Sequence, residues 1–166
     1  ATEIELDKKV RENIATAGGE IIDITLDAFT DDDWSKALFL LFYEFNNGLK
    51  EYLKQSNSKY KSIDDIIENN LKREDEILKY FGQELMIESS KATKGKIYEE
   101  EKSELIYADA TAVTLKAQSI IDKTLEDNSI DLIVGLTRNP AWKIDYENGD
   151  NFSNSWGNGS LSAIAG

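Results

Sequence analysis

The stretch Ile130-Asp131-Leu132-Ile133-Val134-Gly135-Leu136 decides how this chain is read. Its centre is apolar at consecutive positions and carries β-branched residues. A short continuous apolar run of that kind is the pattern of a strand covered on both faces, as in largely parallel sheets. A second candidate lies far upstream. Glu20-Ile21-Ile22-Asp23-Ile24-Thr25-Leu26 is short, β-branched and alternating, which also predicts a strand. Before it, Leu6, Val10, Ile14 and Ala17 recur at intervals of three to four residues, and Gly18-Gly19 supplies a helix stop. A helix entering a strand through two glycines is half of an α/β unit. The expected fold class is therefore α/β: a mostly helical chain with two short strands. Two strands do not make a stable sheet of their own. The rest of the sheet is expected from further sequence or from a partner.

Between these candidates, residues 27–129 read as a helical region. Asp31-Asp32-Asp33 opens it, and acidic residues suit the first turn of a helix better than they indicate a metal site. A long helix over residues 34–55 places Trp34, Leu38, Leu41, Phe45, Leu49 and Tyr52 on one face. Residues 37–45 are apolar nearly all round, so this helix is expected to be covered on more than one side. A side left open would be adhesive, and self-association through exposed apolar faces is expected. Ser62 caps a short helix whose apolar face is Ile63, Ile66, Ile67 and Leu71, with Asp65 at the capping-box position. Phe81-Gly82-Gln83-Glu84 reads as a packing and capping feature between helices. Lys94-Gly95 breaks the pattern. From there to Asp127 one long helix is expected, with Leu105, Ala108, Ala112 and Leu115 on its core stripe and Glu99-Glu100-Glu101 in its solvated first turns. Residues 160–166 look like the opening turns of a small-residue helix.

Charge narrows the function. Thirty-two acidic residues against 19 basic ones give a net charge of -13. Such a surface repels phosphate backbones and anionic membranes, so no nucleic acid and no membrane is expected as a partner. With no cysteine and no histidine, thiolate chemistry, the commonest general base and the commonest metal ligand are all missing. No run is long and apolar enough to cross a bilayer, and the acidic opening is unlike a secretory signal, so a cytoplasmic location is expected.

After the second candidate strand the composition shifts. Residues 137–159 hold the only proline, two of the three tryptophans and many Asn, Gly and Ser. Ligands of open α/β sheets bind beyond the carboxyl ends of strands, which makes this loop a pocket wall by position. A structural loop whose tryptophans cover a sheet end is an equal alternative on the residues alone. A calcium loop is ruled out: counting from Asp145, the sixth and twelfth positions are Asp150 and Trp156, not glycine and glutamate.

Several segments together resemble the amidase signature family. They are residues 130–134, Asn139-Pro140-Ala141-Trp142-Lys143-Ile144-Asp145, Asn148-Gly149-Asp150 and Gly159-Ser160-Leu161-Ser162-Ala163-Ile164-Ala165-Gly166. Leu40-Leu41-Phe42-Tyr43-Glu44-Phe45, Tyr80-Phe81-Gly82-Gln83-Glu84 and Gly18-Gly19-Glu20-Ile21-Ile22 agree in order and spacing. The resemblance implies a central mixed sheet wrapped by helices and hydrolysis of carboxylic amides by a Ser-cisSer-Lys triad, with no metal or organic cofactor. The triad belongs to the family's N-terminal half. Gly157-Asn158-Gly159-Ser160 lacks the doubled serine and the lysine of that half.

The chain then reads as a single partial domain over 1–166, the C-terminal half of an amidase, with residues 130–166 as terminal strand and pocket loop. No catalytic residue is expected in it, and its expected partners are the N-terminal half and a small amide. The resemblance sets Trp142, Phe152 and Trp156 as apolar substrate-side walls and Arg138, Asp150 and Asn154 as polar contacts. The reading from another class is a stand-alone acidic helical module that binds a protein partner.

Overall fold

The computed structural model describes residues 2–27, 29–94, 103–137, 141–149 and 159–166. Among them are eight helices: α1 Thr2–Thr16, α2 Asp31–Gln55, α3 Ile63–Leu71, α4 Glu74–Ile77, α5 Glu84–Ala92, α6 Ser103–Ala110, α7 Ala112–Asn128 and α8 Gly159–Ala165. None of them is long and apolar enough to cross a membrane. The chain divides into two compact units. One comprises residues 1–28, 116–142 and 152–166, the other residues 29–115 and 143–151.

The expected α/β class is overturned: no strand is formed among the described residues. Residues 20–26 and 131–136 run on without helix or turn, and their backbones make no hydrogen bond to one another. The one bridge, between Asp145 and Gly149, closes a turn. An apolar run marks a segment that gains from cover, but a ladder also needs a neighbour at about 4.8 Å in register. That neighbour is not provided by the described chain. Leu132 is 66% exposed, where a strand covered on both faces would bury it.

In the first unit, α1 ends as the paired glycines predict. Gly18 takes a positive φ of 87°, its N–H donates to Ala15 O, and the Gly19 N–H reaches back to Ile14 O. This is the Schellman arrangement, which satisfies the last carbonyls of a helix. The end of α7 repeats it with a serine. Ser129 sits at φ 51°, its N–H donates to Glu126 O, and the Ile130 N–H donates to Leu125 O. The Gln118 side-chain amide donates to Ala165 O, tying α7 to α8.

In the second unit, α2 is the hub: α5, α6 and α3 pack on it, and α3 also packs on α5 and α4. Its start is fixed by a capping box. The Asp33 N–H donates to Thr30 Oγ1 at 3.2 Å, and the Thr30 N–H donates to the Asp33 carboxylate at 2.8 Å. The three aspartates thus form the first turn, as the sequence predicts. Ser62 and Asp65 make the same box on α3, again as predicted. The core cluster is Phe39, Phe42, Ala92, Ile106 and Ala110.

Two expectations are corrected here. The single helix expected up to Asp127 is two helices, α6 and α7. At Thr111 the side chain bonds back to Ala108 O, and the Thr114 N–H donates to Thr111 O, three residues back rather than four. The core stripe is also rotated. The buried positions are Ile106, Ala110, Val113, Ala117 and Ile120, whereas Ala108 and Ala112 are exposed and Leu115 is 68% exposed. Alanine at position 110 lets α6 approach the phenylalanines of α2, so a small residue takes the core position and a large leucine does not. Glu99-Glu100-Glu101 and the break at Gly95 lie outside the described residues.

The two helix ends generate a paired expectation. Ser129→Gly relieves a left-handed serine and should raise stability by about 1 kcal/mol, while Gly18→Ala should lower it by about as much. Urea midpoints at unchanged m-value check both. Shifts of the same sign in the two variants would contradict this account of the caps.

Candidate functional site

Of the six residues that the resemblance sets on the substrate side, Trp142 is described, and its side chain is 46% exposed. Arg138, Asp150, Phe152, Asn154 and Trp156 lie outside the described residues. The described part of the loop is organised around Asp145. One carboxylate oxygen accepts the N–H groups of Glu147 and Asn148 at 2.9 and 3.0 Å, and the other accepts the Asn148 side-chain amide at 2.8 Å. The Gly149 N–H donates to Asp145 O, with Gly149 at φ 77°. An aspartate that caps its own turn through both oxygens is a structural brace. The Tyr146 ring that this turn presents lies against Tyr80 and Phe81, at centroid distances of 4.7 and 5.9 Å.

Serine–lysine chemistry needs a hydroxyl beside an amine, and among the described residues Ser90 and Lys94 bring those two groups together. Lys94 Nζ lies 2.8 Å from Ser90 Oγ. Both groups are also held by Asp64, whose oxygens accept from Ser90 Oγ at 2.6 Å and from Lys94 Nζ at 2.5 Å. A lysine activates a hydroxyl only as the neutral amine. Here the Ser90 hydroxyl donates to the Asp64 carboxylate, and Lys94 Nζ donates to both, so the serine proton is directed at Asp64 rather than at the amine. The Ser90 side chain is buried, so the triangle braces α5 against the start of α3. Gln83 does similar work. Its side chain accepts from Asn70 and donates to Ile67 O, so the Phe81–Glu84 region packs between helices as expected, although Gln83 makes no side-chain cap. Among the described residues no group of three or more acidic side chains is placed to hold a metal ion.

A concave feature of the first unit brings together segments far apart in the sequence. A cleft of about 1040 Å³ is lined by one face of α1, by residues 19–24 and by residues 129–136. The α1 face is Ile4, Asp7, Val10, Arg11 and Ile14, spaced at three to four residues. Arg11 joins two of these walls. Its Nε donates to Asp7 at 2.9 Å, and a terminal nitrogen donates to Asp23 at 2.6 Å. Those carboxylates, Asp23 before Asp7, raise the Arg11 pKa further, so the guanidinium is charged at any working pH. The i,i+4 pair of Asp7 and Arg11 was legible as a helix-face feature. Its third partner was not, because Asp23 lies beyond the turn.

The second unit carries an exposed apolar seam. Trp34, Leu38, Leu41, Phe45 and Tyr52 are all exposed large side chains on α2, Leu41 at 62%. Their steps of four and three residues continue through Gly48, where an added Cβ would meet nothing. They are the face the sequence reading grouped, except that Leu49 is half-buried. The core faces instead Phe39, Phe42, Asn46 and Leu53. Beside the seam, Glu44 accepts a hydrogen bond from the Tyr107 hydroxyl at 3.0 Å, which raises the phenol pKa.

Compared with protein-family models, curated proteins and solved structures, the chain matches none.

Two outcomes are expected. A serine-directed sulfonyl fluoride should leave Ser90 unlabelled in the folded chain, because its side chain is buried and its hydroxyl donates to Asp64. Stoichiometric modification of Ser90 found by peptide mass spectrometry would contradict that. The double variant Leu38→Glu/Leu41→Glu should remove most hydrophobic-dye fluorescence, with stability changed by no more than about 0.5 kcal/mol per site. Unchanged dye binding would mean that the seam is not the adhesive surface.

Proposed function

We propose that this chain is a non-catalytic part of an amidase-family hydrolase acting on carboxylic amide C–N bonds, working in the cytoplasm. In this reading it supplies scaffold and a substrate-side wall through Trp142 and the loop that follows. A further polypeptide region supplies the triad. One observation carries the reading. Large apolar groups along α2 and along residues 20–24 and 130–136 face solvent. Exposed apolar surface on that scale marks sites of interaction, as a part that packs against a further polypeptide region would carry. The run of segments quoted above supports the family. Among the described residues no sheet is formed, which departs from the family's organisation and weighs against it.

The α2 seam favours a second reading, a stand-alone acidic helical module that docks a partner helix. Charge gives the partner its sign: Glu44 and Glu51 lie on the exposed surface of α2 near the seam, and basic flanks on the partner would pair with them.

The two readings separate in one experiment. Antibodies raised against this chain capture the polypeptide that carries it in its native cell, and the captured material is assayed on a panel of small primary and aryl amides. The amidase reading expects turnover by the captured material and none by the isolated chain. Captured material that hydrolyses no amide, while remaining bound to a second protein, would replace it with the docking reading.

A further inference from the structure

The cleft of the first unit has a chemistry that side-chain lists alone do not describe. Its walls include two stretches of backbone, residues 19–24 and residues 129–136. At about 3.3 Å per extended residue these run for roughly 20 and 26 Å. Each non-proline residue carries one donor and one acceptor on the main chain. Among the described residues the backbones of 20–26 and 131–136 use none of theirs in a hydrogen bond. The same stretches present apolar side chains, with Ile22, Leu132 and Val134 each at least half exposed. Unused main-chain polar groups beside exposed β-branched side chains are what an added extended segment pairs with. Main-chain bonds then hold it, and alternate side chains select it.

Charge selects further. The ionisable groups lining the cleft are Asp7, Glu20, Asp23, Asp131 and Arg11. Arg11 is engaged by Asp7 and Asp23, while Glu20 and Asp131 make no ion pair among the described residues. An acidic guest would face two carboxylates with no compensating cation, and a basic one would pair with both.

We infer that the cleft formed by α1, residues 19–24 and residues 129–136 binds, in trans, an extended polypeptide segment of about six residues, apolar at alternate positions and carrying lysine or arginine at its ends. This site is independent of amide hydrolysis. A chain that binds such a peptide but belongs to no amidase leaves the inference standing, and the converse also holds.

The probe is an acetylated and amidated peptide, Lys-Val-Thr-Val-Thr-Val-Lys, added to the full chain. Hydrogen exchange should show new protection at the amides of residues 20–26 and 131–136, and titration calorimetry should give saturable 1:1 binding. The same peptide methylated on alternate backbone nitrogens keeps its side chains and loses its donors; its affinity should fall at least about tenfold, near 1.4 kcal/mol. A peptide with glutamate in place of both lysines should weaken by a similar factor at low salt. In the protein, Glu20→Gln with Asp131→Asn should erase the difference between the lysine and glutamate peptides, a readout that survives if a backbone variant such as Leu132→Pro fails to fold. Equal binding of the methylated peptide, or no protection with any peptide, overturns the inference. So does protection of the same amides that rises with chain concentration alone, because the occupant is then a second copy of this chain.

Discussion

The second unit depends on one stripe of α2. Phe39, Phe42 and Leu53 turn inward with Asn46 among them, and α5 and α6 are built against that stripe. Burying a phenylalanine is worth about 1.5–3 kcal/mol, so the two rings dominate the local balance. Asn46 makes the arrangement specific. A buried amide costs more than it returns unless it is bonded. Its nitrogen donates to Ser89 O at 3.0 Å and to Thr93 Oγ1 at 2.7 Å, which sets α5 in one register along α2. The remaining braces follow from that register. Ser90 can meet Asp64, and Gln83 can meet Asn70 and Ile67, only with α5 seated there.

The same register explains why the meeting of serine and lysine is structural. Asp64 and Asp65 stand in the first turn of α3, where the exposed N–H groups favour negative charge. Asp65 is consumed by the capping box, and Asp64 is directed at α5, where it gathers both the hydroxyl and the ammonium. A carboxylate in that position takes the serine's hydrogen bond and aims the hydroxyl away from the lysine. Among the described residues, Lys36 likewise bridges Asp32 and Asp109 and joins α2 to α6. In a chain without histidine or cysteine, these lysines are bound up in holding helices together.

What was legible in the sequence was whatever is decided locally. The boxes of Thr30 with Asp33 and Ser62 with Asp65, the stop at Gly18-Gly19 and the short helix from Gly159 each depend on residues within one turn. That residues 20–26 and 130–136 form no strand was not legible, since an apolar run states that cover is favourable and says nothing of who provides it. The core stripe of α6 and α7 failed for a related reason. Ile106, Ala110, Val113, Ala117 and Ile120 have helical spacing just as Leu105, Ala108, Ala112 and Leu115 do, and only the close approach to α2 explains why alanine is buried at position 110. Of the substrate-side residues, only Trp142 has a described environment, and it is 46% exposed. The cleft was illegible because α1, residues 19–24 and residues 129–136 come together from opposite ends of the chain.

The exposed surfaces of the two units differ in kind, and the difference bears on what covers them. On α2 every main-chain group except those at the ends is spent inside the helix, so only side chains remain, spaced for another helix. A second copy laid antiparallel about residue 43 would set Leu38 over Gly48 and Leu41 over Phe45, which packs well. It would also bring Glu44 beside its own copy, and like charges in that position oppose pairing. The seam is therefore better matched by a helix carrying basic flanks than by itself. Along the cleft the main chain is unspent, and an extended segment can satisfy groups that a helix cannot reach. Both surfaces carry acidic residues at or beside them. The net charge of -13 thus acts as a filter, admitting basic partners to either face and discouraging the chain from covering itself.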